Sequence, residues 1–274
     1  MLTFLPAYMG AEWVTAQYTK SLSLGISIKN GFLSTKQMGI KLQREKPRQL
    51  LTSVLYRLLK LPLPDQSKLK LFLNLEWIFQ RLSHEMSFRV YDSADHAWRQ
   101  KACEFILDFI EREHTVLDLG CSSGEITHLI ATKAKSVVGI DHDKKSIDAA
   151  QKAYSKENLN FICADAIDYL KSTQRKFDVL ILSHVLEHID EPERFLQEFR
   201  DSFRYFYIEV PDFDMTILNH YRKKLNLPLV YSDNDHVREF DRFELQELFL
   251  QCHLRVTKSE FIFGVQRYWC EISQ

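Results

Sequence analysis

Cysteine is sparse in this chain of 274 residues: there are five, at positions 103, 121, 163, 252 and 270, an odd number with no close metal-type pairing. That pattern argues against both a disulfide framework and a cysteine-rich metal site, and it predicts reduced thiols in a cytoplasmic protein. Long apolar runs are missing as well. No stretch approaches the roughly 18 consecutive apolar residues of a membrane span, and Met1 to Gly10 has no basic leader before its apolar residues. Neither a transmembrane helix nor a secretory signal is therefore expected. Internal repeats and low-complexity tracts are absent too. What remains is a globular chain whose 45% hydrophobic content supplies an ample core, with room for one domain of about 180 residues plus an appendage.

Charge is present but unevenly placed. The whole chain carries a net charge of −1, yet residues 1–90 hold 13 Lys and Arg against 5 Asp and Glu, and the remainder holds 23 against 32. Within the basic part, Gln49 to Lys60 puts Leu50, Leu51, Val54, Leu55, Leu58 and Leu59 on one helical stripe, which Leu61-Pro62-Leu63-Pro64 breaks. A second helix is expected from near Asp65 to about Met86, with Leu69, Phe72, Leu73, Trp77, Ile78 and Leu82 inward. Residues 1–90 thus read as a mainly helical cap on a domain spanning 91–274. The lysines are either the wet face of that cap or an attraction for an anionic substrate or membrane surface through Lys36, Lys41, Arg44, Lys46 and Arg48.

From Ala97 onward the pattern changes to alternating helix and strand signals. A helix over Ala97 to Glu111 precedes strands at about 115–119, 136–140, 159–163, 177–182 and 204–210, with helices between. Such alternation predicts an α/β fold with a mainly parallel, doubly wound sheet. Two strand-like runs, about 254–261 and 265–273, flank Gly264. The stretch from Asp212 to Asp235 is too long for a plain connection and is expected to shape a pocket; its His220, Tyr221, Arg222, Lys223 and Lys224 read as solvated.

The chemistry-bearing signal starts at the first strand. Val116-Leu117-Asp118-Leu119-Gly120-Cys121-Ser122-Ser123-Gly124 is a buried strand followed by a tight turn of small residues and a helix start, a geometry that lets backbone approach a ligand closely. Asp141 ends the next apolar run 21 residues past Gly120, where a carboxylate can accept both hydroxyls of a ribose. The dinucleotide fingerprint fails, because Ser122 and Glu125 stand where its second and third glycines belong. Gly120-Cys121-Ser122-Ser123-Gly124 does fit a nucleophile elbow. A hydrolase of that kind needs several strands upstream, however, and residues 49–112 read as helical.

Four motifs in register make the chain resemble the class I S-adenosylmethionine-dependent methyltransferases over roughly residues 90–274. The first is the loop just described, with Ser122 in place of the usual middle glycine; Val138-Gly139-Ile140-Asp141 matches the second and Phe161-Ile162-Cys163-Ala164-Asp165-Ala166 the third. Phe177 to His188 matches the fourth strand and its post-strand helix, and Tyr207-Ile208-Glu209-Val210-Pro211 looks like the fifth strand. The resemblance implies a Rossmann-like fold closed by an antiparallel hairpin. It further implies S-adenosylmethionine contacts at Asp118, Gly120, Cys121, Ser122, Gly124, Asp141, His142, Asp165, Ala166 and Ser183.

The acceptor side rests on histidines. His184, Glu187 and His188 are spaced to share one face of a helix starting after Ser183. The run His184-Val185-Leu186-Glu187-His188 also fits the H-x-x-E-H of inverted zinc proteases, a reading that its place after a buried methyltransferase strand argues against. Together with His236, the layout resembles the metal-dependent 2′-O-methyltransferases of small-RNA 3′ ends. That resemblance implies His184, Glu187, His188 and His236 as ligands of a divalent cation. His184 replaces a glutamate of that pattern, so the set is nitrogen-rich and favours Mn, Fe, Co or Zn over Mg. Alternatively His184 and His188 serve as catalytic bases without metal. Trp98 reads as core or, with Tyr91 and Arg99, as part of a lid, and Glu209 either faces the cleft or caps its strand. The expected function is O-methylation of a sugar, glycan or small-molecule hydroxyl. The alternatives are methylation of an RNA 3′-terminal ribose and a partner subunit that holds the cofactor without turnover; oligomeric state is not legible.

Overall fold

The computed structural model describes residue 53, residues 56–91 and residues 96–273. Lys36, Lys41, Arg44, Lys46, Arg48 and most of the expected helix over 49–60 lie outside the described residues; of that helix, Arg57–Lys60 form a 3-10 turn. Residues 55–274 make one compact unit.

Seven strands build a single sheet: β1 (Thr115–Leu119), β2 (Ser136–Asp141), β3 (Leu159–Cys163), β4 (Val179–Ser183), β5 (Tyr205–Pro211), β6 (Leu254–Ile262) and β7 (Val265–Ile272). Their order is β3-β2-β1-β4-β5-β7-β6. The first five pair in parallel, while β7 runs antiparallel to both β5 and β6. Central strands rich in Val, Ile and Leu are buried on both faces, as helix-covered parallel strands must be; Val116, Leu117, Leu119, Val179, Leu180, Ile181 and Leu182 have no exposed surface. Edge strand β6 alternates instead, with most of its residues partly or fully exposed. All seven strands lie within two residues of their expected bounds.

The helices are α1 (Asp65–Val90), α2 (Ala97–Phe109), α3 (Glu125–Ile130), α4 (Lys144–Ala153), α5 (Ala166–Ser172), α6 (Pro192–Phe199), α7 (Ile217–Lys224) and α8 (Arg242–Gln251). Several start where a side chain satisfies the otherwise unpaired amides of the first turn. Asp143 caps α4, Asp165 caps α5, and Asp241 with Glu244 forms a capping box on α8. One face of the sheet packs Leu117, Leu180 and Leu182 against Phe195, Leu245 and Phe249. The other packs Val116, Val179 and Ile181 against Phe105, Ile106 and Trp269.

Two expectations need correction. On α1 only Leu73 is buried, whereas Leu69, Ile78 and Leu82, expected inward, are 42%, 39% and 56% exposed. The helix packs through one narrow face and leaves most of its apolar side chains in solvent. Arg222, expected to be solvated, is fully buried. Its guanidinium pairs with Glu76 of α1 and donates to the Leu73 carbonyl at 3.0 Å and to Asn219 Oδ1 at 2.8 Å. The two terminal nitrogens of this buried guanidinium find their partners on α1 and α7 together, while its Nε has none.

Strand order reverses between β1 and β4, so the loops that leave their carboxyl ends diverge and open a crevice. The β1 loop is shaped by three residues in the left-handed region, Gly120 at φ 70°, Ser122 at φ 48° and Gly124 at φ 79°. A Cβ on Gly124 would lie 2.5 Å from the Phe161 ring, so strain and collision coincide there. Gly124→Ala is expected to lower stability by about 2–3 kcal/mol, read as a reduced urea midpoint at constant slope. An unchanged midpoint would contradict this packing.

Candidate functional site

The expected cofactor residues gather at the carboxyl edge of β1 to β4. The Ser122 amide, itself at φ 48°, donates to Asp141 Oδ2 at 2.9 Å, and the Asp143 amide donates to Oδ1 at 2.8 Å. Asp141 therefore braces the loop after β1 while keeping lone pairs for a further donor. His142 beside it is largely exposed. Asp165 receives the Ile167 and Asp168 amides on Oδ1 at 2.9 and 3.0 Å, which starts α5 at the half-buried Ala166. Two residues differ in role from expectation. Asp118 is buried behind the loop, accepts from Thr127 Oγ1 at 2.6 Å, and burial pushes its carboxyl up to about 7. Cys121 packs its thiol among Ile147, Ala150 and Phe161, leaving only its backbone for a ligand.

At the end of β4 a buried ionic network replaces the expected helix. Ser183 pairs in register with Glu209 of β5, and the His184 amide donates to the Glu209 carbonyl at 2.9 Å. His184 then takes a left-handed conformation, φ 55°, and only a single 3-10 turn, Leu186–His188, comes after it. The His184 ring is held between two carboxylates: Nδ1 lies 2.9 Å from Glu187 Oε1, and Nε2 lies 3.3 Å from Glu209 Oε1 in an ion pair without hydrogen-bond alignment. Burial opposes its charge, but the two carboxylates outweigh burial and push the imidazolium up to about 10. Both ring nitrogens of His184 thus face carboxylates, and these favour its charged form.

Glu209 resolves as the network's hub. It receives the Tyr207 hydroxyl at 2.6 Å and the Ser183 hydroxyl at 3.1 Å, and it pairs with the Arg267 guanidinium of β7. Glu209 and Arg267 are both fully buried. Burial would raise the carboxyl, but His184, Arg267 and Tyr207 hold it down at about 2. Arg267 also reaches Glu260 at 3.1 Å and donates to the Trp98 carbonyl at 3.4 Å. The Trp98 ring lies 5.0 Å from His184 by centroids, so half-buried Trp98 borders this network and is not deep core. Tyr91 is 56% exposed. Arg99 pairs with Glu125 at the start of α3.

The other three members of the expected metal set converge. One ligand atom each from Glu187, His188 and His236 lies within 4.8 Å of the others. They meet because the Val237 and Arg238 amides donate to the Glu187 carbonyl at 3.0 and 3.3 Å, docking the segment before α8 on the 3-10 turn. The two imidazoles stand nearly perpendicular with centroids 4.7 Å apart. His236 Nδ1 lies 3.0 Å from Glu239 Oε1, and His188 Nδ1 lies 3.3 Å from the Asp235 carbonyl oxygen. Such partners leave the lone pair of a neutral imidazole on Nε2. Burial opposes a charged His236, yet Glu239 raises its affinity for a proton above the ordinary histidine level. Glu187 Oε2 is buried without a hydrogen-bond partner. Arg81 of α1 closes the far side, pairing with Asp233 at 2.7 Å and with the Ser232 carbonyl.

Sequence reasoning passed over Glu239, Arg81 and Arg267. Glu239 stands three residues after His236, a spacing that signals a partner. Arg267 is a charge beside Tyr268, Trp269 and Cys270 in a strand that is buried over most of its length, which signals a buried pair.

A methyltransferase-domain family model matches residues 92–259, more than half of the chain. An uncharacterized RNA methyltransferase of Mycoplasma mobile is 40% identical over 89 residues, 31% of this chain and 24% of that protein. A ubiquinone biosynthesis O-methyltransferase of Coxiella burnetii is 31% identical over 98 residues, 33% of this chain and 42% of that protein. The chain thus spans less than half the length of these curated relatives. The crystal structure of an S-adenosylmethionine-dependent methyltransferase from Archaeoglobus fulgidus superposes with a TM-score of 0.50 at 18% identity, covering 62% of this chain and 91% of that one, a likeness of fold. Among the described residues no helix is long and apolar enough to cross a membrane.

The ionic network yields a stability test. Glu209→Gln leaves Arg267 buried against a neutral group and is expected to cost about 3–5 kcal/mol in chemical denaturation. Because folding lowers the Glu209 value from 4.5 to about 2, its contribution is complete above pH 4.5 and is lost as pH falls toward 2. His184 behaves oppositely: its value rises from 6.5 to about 10, so its contribution is complete below pH 6.5 and is lost as pH rises through 10. A wild type whose stability matches that of the Glu209→Gln variant at pH 6.5 would refute the network's role.

Proposed function

The chain belongs to the methyltransferase-domain family, and from that premise we propose that it transfers the methyl group of S-adenosylmethionine to a hydroxyl oxygen of a small molecule or sugar, assisted by a divalent cation on Glu187, His188 and His236. The crevice fits the cofactor on two observations. Asp141 sits at the β2 end with lone pairs left for ribose hydroxyls, and the left-handed Gly120 and Gly124 keep side chains out of the loop beside it. When bound, the cofactor supplies an electrophilic methyl on a sulfonium. The protein's contribution is then to hold the acceptor oxygen in line with that methyl, at about 3–3.5 Å, and to help the hydroxyl lose its proton.

The observation that carries the cation is the orphaned Glu187 Oε2 beside two histidines whose Nδ1 atoms are engaged elsewhere. An unpaired buried carboxylate oxygen is costly, and a cation would satisfy it. Three protein ligands leave positions open for an acceptor, and two of the three are nitrogens, favouring Mn, Fe, Co or Zn over Mg. Such an ion would supply Lewis acidity that eases proton loss from an adjacent hydroxyl, and a vicinal diol suits it best. His184, held between Glu187 and Glu209, orients Glu187. The O-methyltransferase name of the Coxiella relative supports an oxygen acceptor. The name of the Mycoplasma relative supports a second reading, an RNA hydroxyl. Affinity for an RNA acceptor would fall steeply with salt, whereas affinity for a neutral sugar or phenol would not.

Calorimetry is expected to show S-adenosylmethionine binding that Asp141→Ala weakens by about 1.5–3 kcal/mol. A wild type without affinity for the cofactor would sink the proposal. For the cation, the purified chain soaked in Mn or Zn is expected to retain metal that His236→Ala loses, and chelation should abolish turnover while cofactor binding persists. Turnover that survives chelation but is lost in His188→Ala would instead assign His188 as a metal-free base.

A further inference from the structure

Helix α1 has two unlike faces. One is fastened to the domain by Leu73, by Glu76 with buried Arg222, by Arg81 with Asp233, and by Phe88 against His96 and Trp98. The opposite face carries Leu71, Leu75, Ile78, Phe79, Leu82 and Met86, which are 47%, 38%, 39%, 64%, 56% and 50% exposed. At 100° per residue these six positions fall within one stripe about 100° wide, centred opposite Leu73 and Phe88. No acidic or basic residue lies on the helix between Leu71 and Met86 within that stripe. A contiguous apolar face of this length is unusual on a solitary surface helix.

We propose that this stripe is the interface of a two-fold dimer in which the α1 helices of two copies of this chain pack antiparallel. The spacing supports a second copy as the occupant. Reading from Leu71 to Met86, the intervals are 4, 3, 1, 3 and 4 residues, the same from either end. An antiparallel copy related by a two-fold axis at the middle of the stripe therefore sets Leu71 level with Met86, Leu75 with Leu82 and Ile78 with Phe79, apolar against apolar along the whole stripe. The area agrees. At these exposed fractions the six side chains offer roughly 600 Å² per chain, or about 1,200 Å² for the pair, which reaches the lower bound of a standard specific interface. Spacings of three and four residues also let such side chains interlock between helices. The two-fold axis passes near Ile78 and Phe79. The fastened face of the same helix brings Arg81 and Phe88 to the acceptor pocket, so the dimer braces one wall of the site without adding a group to it. The inference is independent of the acceptor and of the cation.

Light scattering of the full chain at micromolar concentration is expected to give twice the mass of one chain, and Leu75→Glu with Leu82→Glu is expected to give a single chain with unchanged S-adenosylmethionine affinity. Geometry is read by crosslinking. Phe79→Cys should join two copies through a short bismaleimide above the background of the native cysteines. Leu71→Cys should not, because its own copy lies about 22 Å away along the antiparallel axis at ~1.5 Å rise per residue. A wild type of single-chain mass, whatever else covers the stripe, overturns the proposal. Equal crosslinking at positions 71 and 79, or a dimer that survives the double glutamate substitution, does so as well.

Discussion

The pair formed by Glu209 of β5 and Arg267 of β7, with no solvent exposure on either side chain, is the constraint on which the site depends. It joins the last parallel strand to the antiparallel hairpin at the carboxyl edge of the sheet. Buried charges persist only when each finds partners, and here the partners come from four directions: Tyr207, Ser183, His184 and Glu260. His184 is drawn into this network through Glu209, and its left-handed backbone results from sitting where β4 must end for the ring to reach both carboxylates. The 3-10 turn that carries Glu187 and His188 is thereby placed.

That arrangement divides the histidines by chemistry. His184 has both nitrogens facing carboxylates, Glu187 on one side and Glu209 on the other. His188 and His236 have their Nδ1 atoms engaged by the Asp235 carbonyl and by Glu239, and they face one another beside Glu187. In the proposed reaction these two, with Glu187, are the groups available to an acceptor hydroxyl. The division rests on two kinds of neighbour: two buried carboxylates for one ring, and partners on Nδ1 alone for each of the others.

Helix α1 links the site to the surface. Arg81 reaches the turn-rich segment before His236, while Phe88 stacks on His96 and meets Trp98. The side chains that face away from these contacts are apolar and leave the helix with two surfaces to satisfy. A sequence pattern marks both as hydrophobic positions. Which one meets the domain is decided by where Arg222 and Asp233 stand to receive Glu76 and Arg81.

The amino-acid sequence by itself determined the sheet and the cofactor edge. Strands of five to nine residues rich in Val, Ile and Leu, separated by amphipathic helices, admit little but a parallel layered sheet, and the loop at Gly120 to Gly124 with Asp141 is a local pattern whose geometry comes from small residues and short range. Glu187 and His188 were legible as chain neighbours, whereas His236 joined them, along with His184, only through the resemblance to a metal-dependent family. The tertiary structure alone decided that His184 leaves that group, that Asp118 and Cys121 turn into the core, that Arg222 is buried and that the outer stripe of α1 is exposed. Each of these depends on a partner 25 or more residues away or on a packing direction, such as Glu209 for His184 and Glu76 for Arg222. Periodicity along a chain reports which residues share a face, but not which charge a folded neighbour will bring against it.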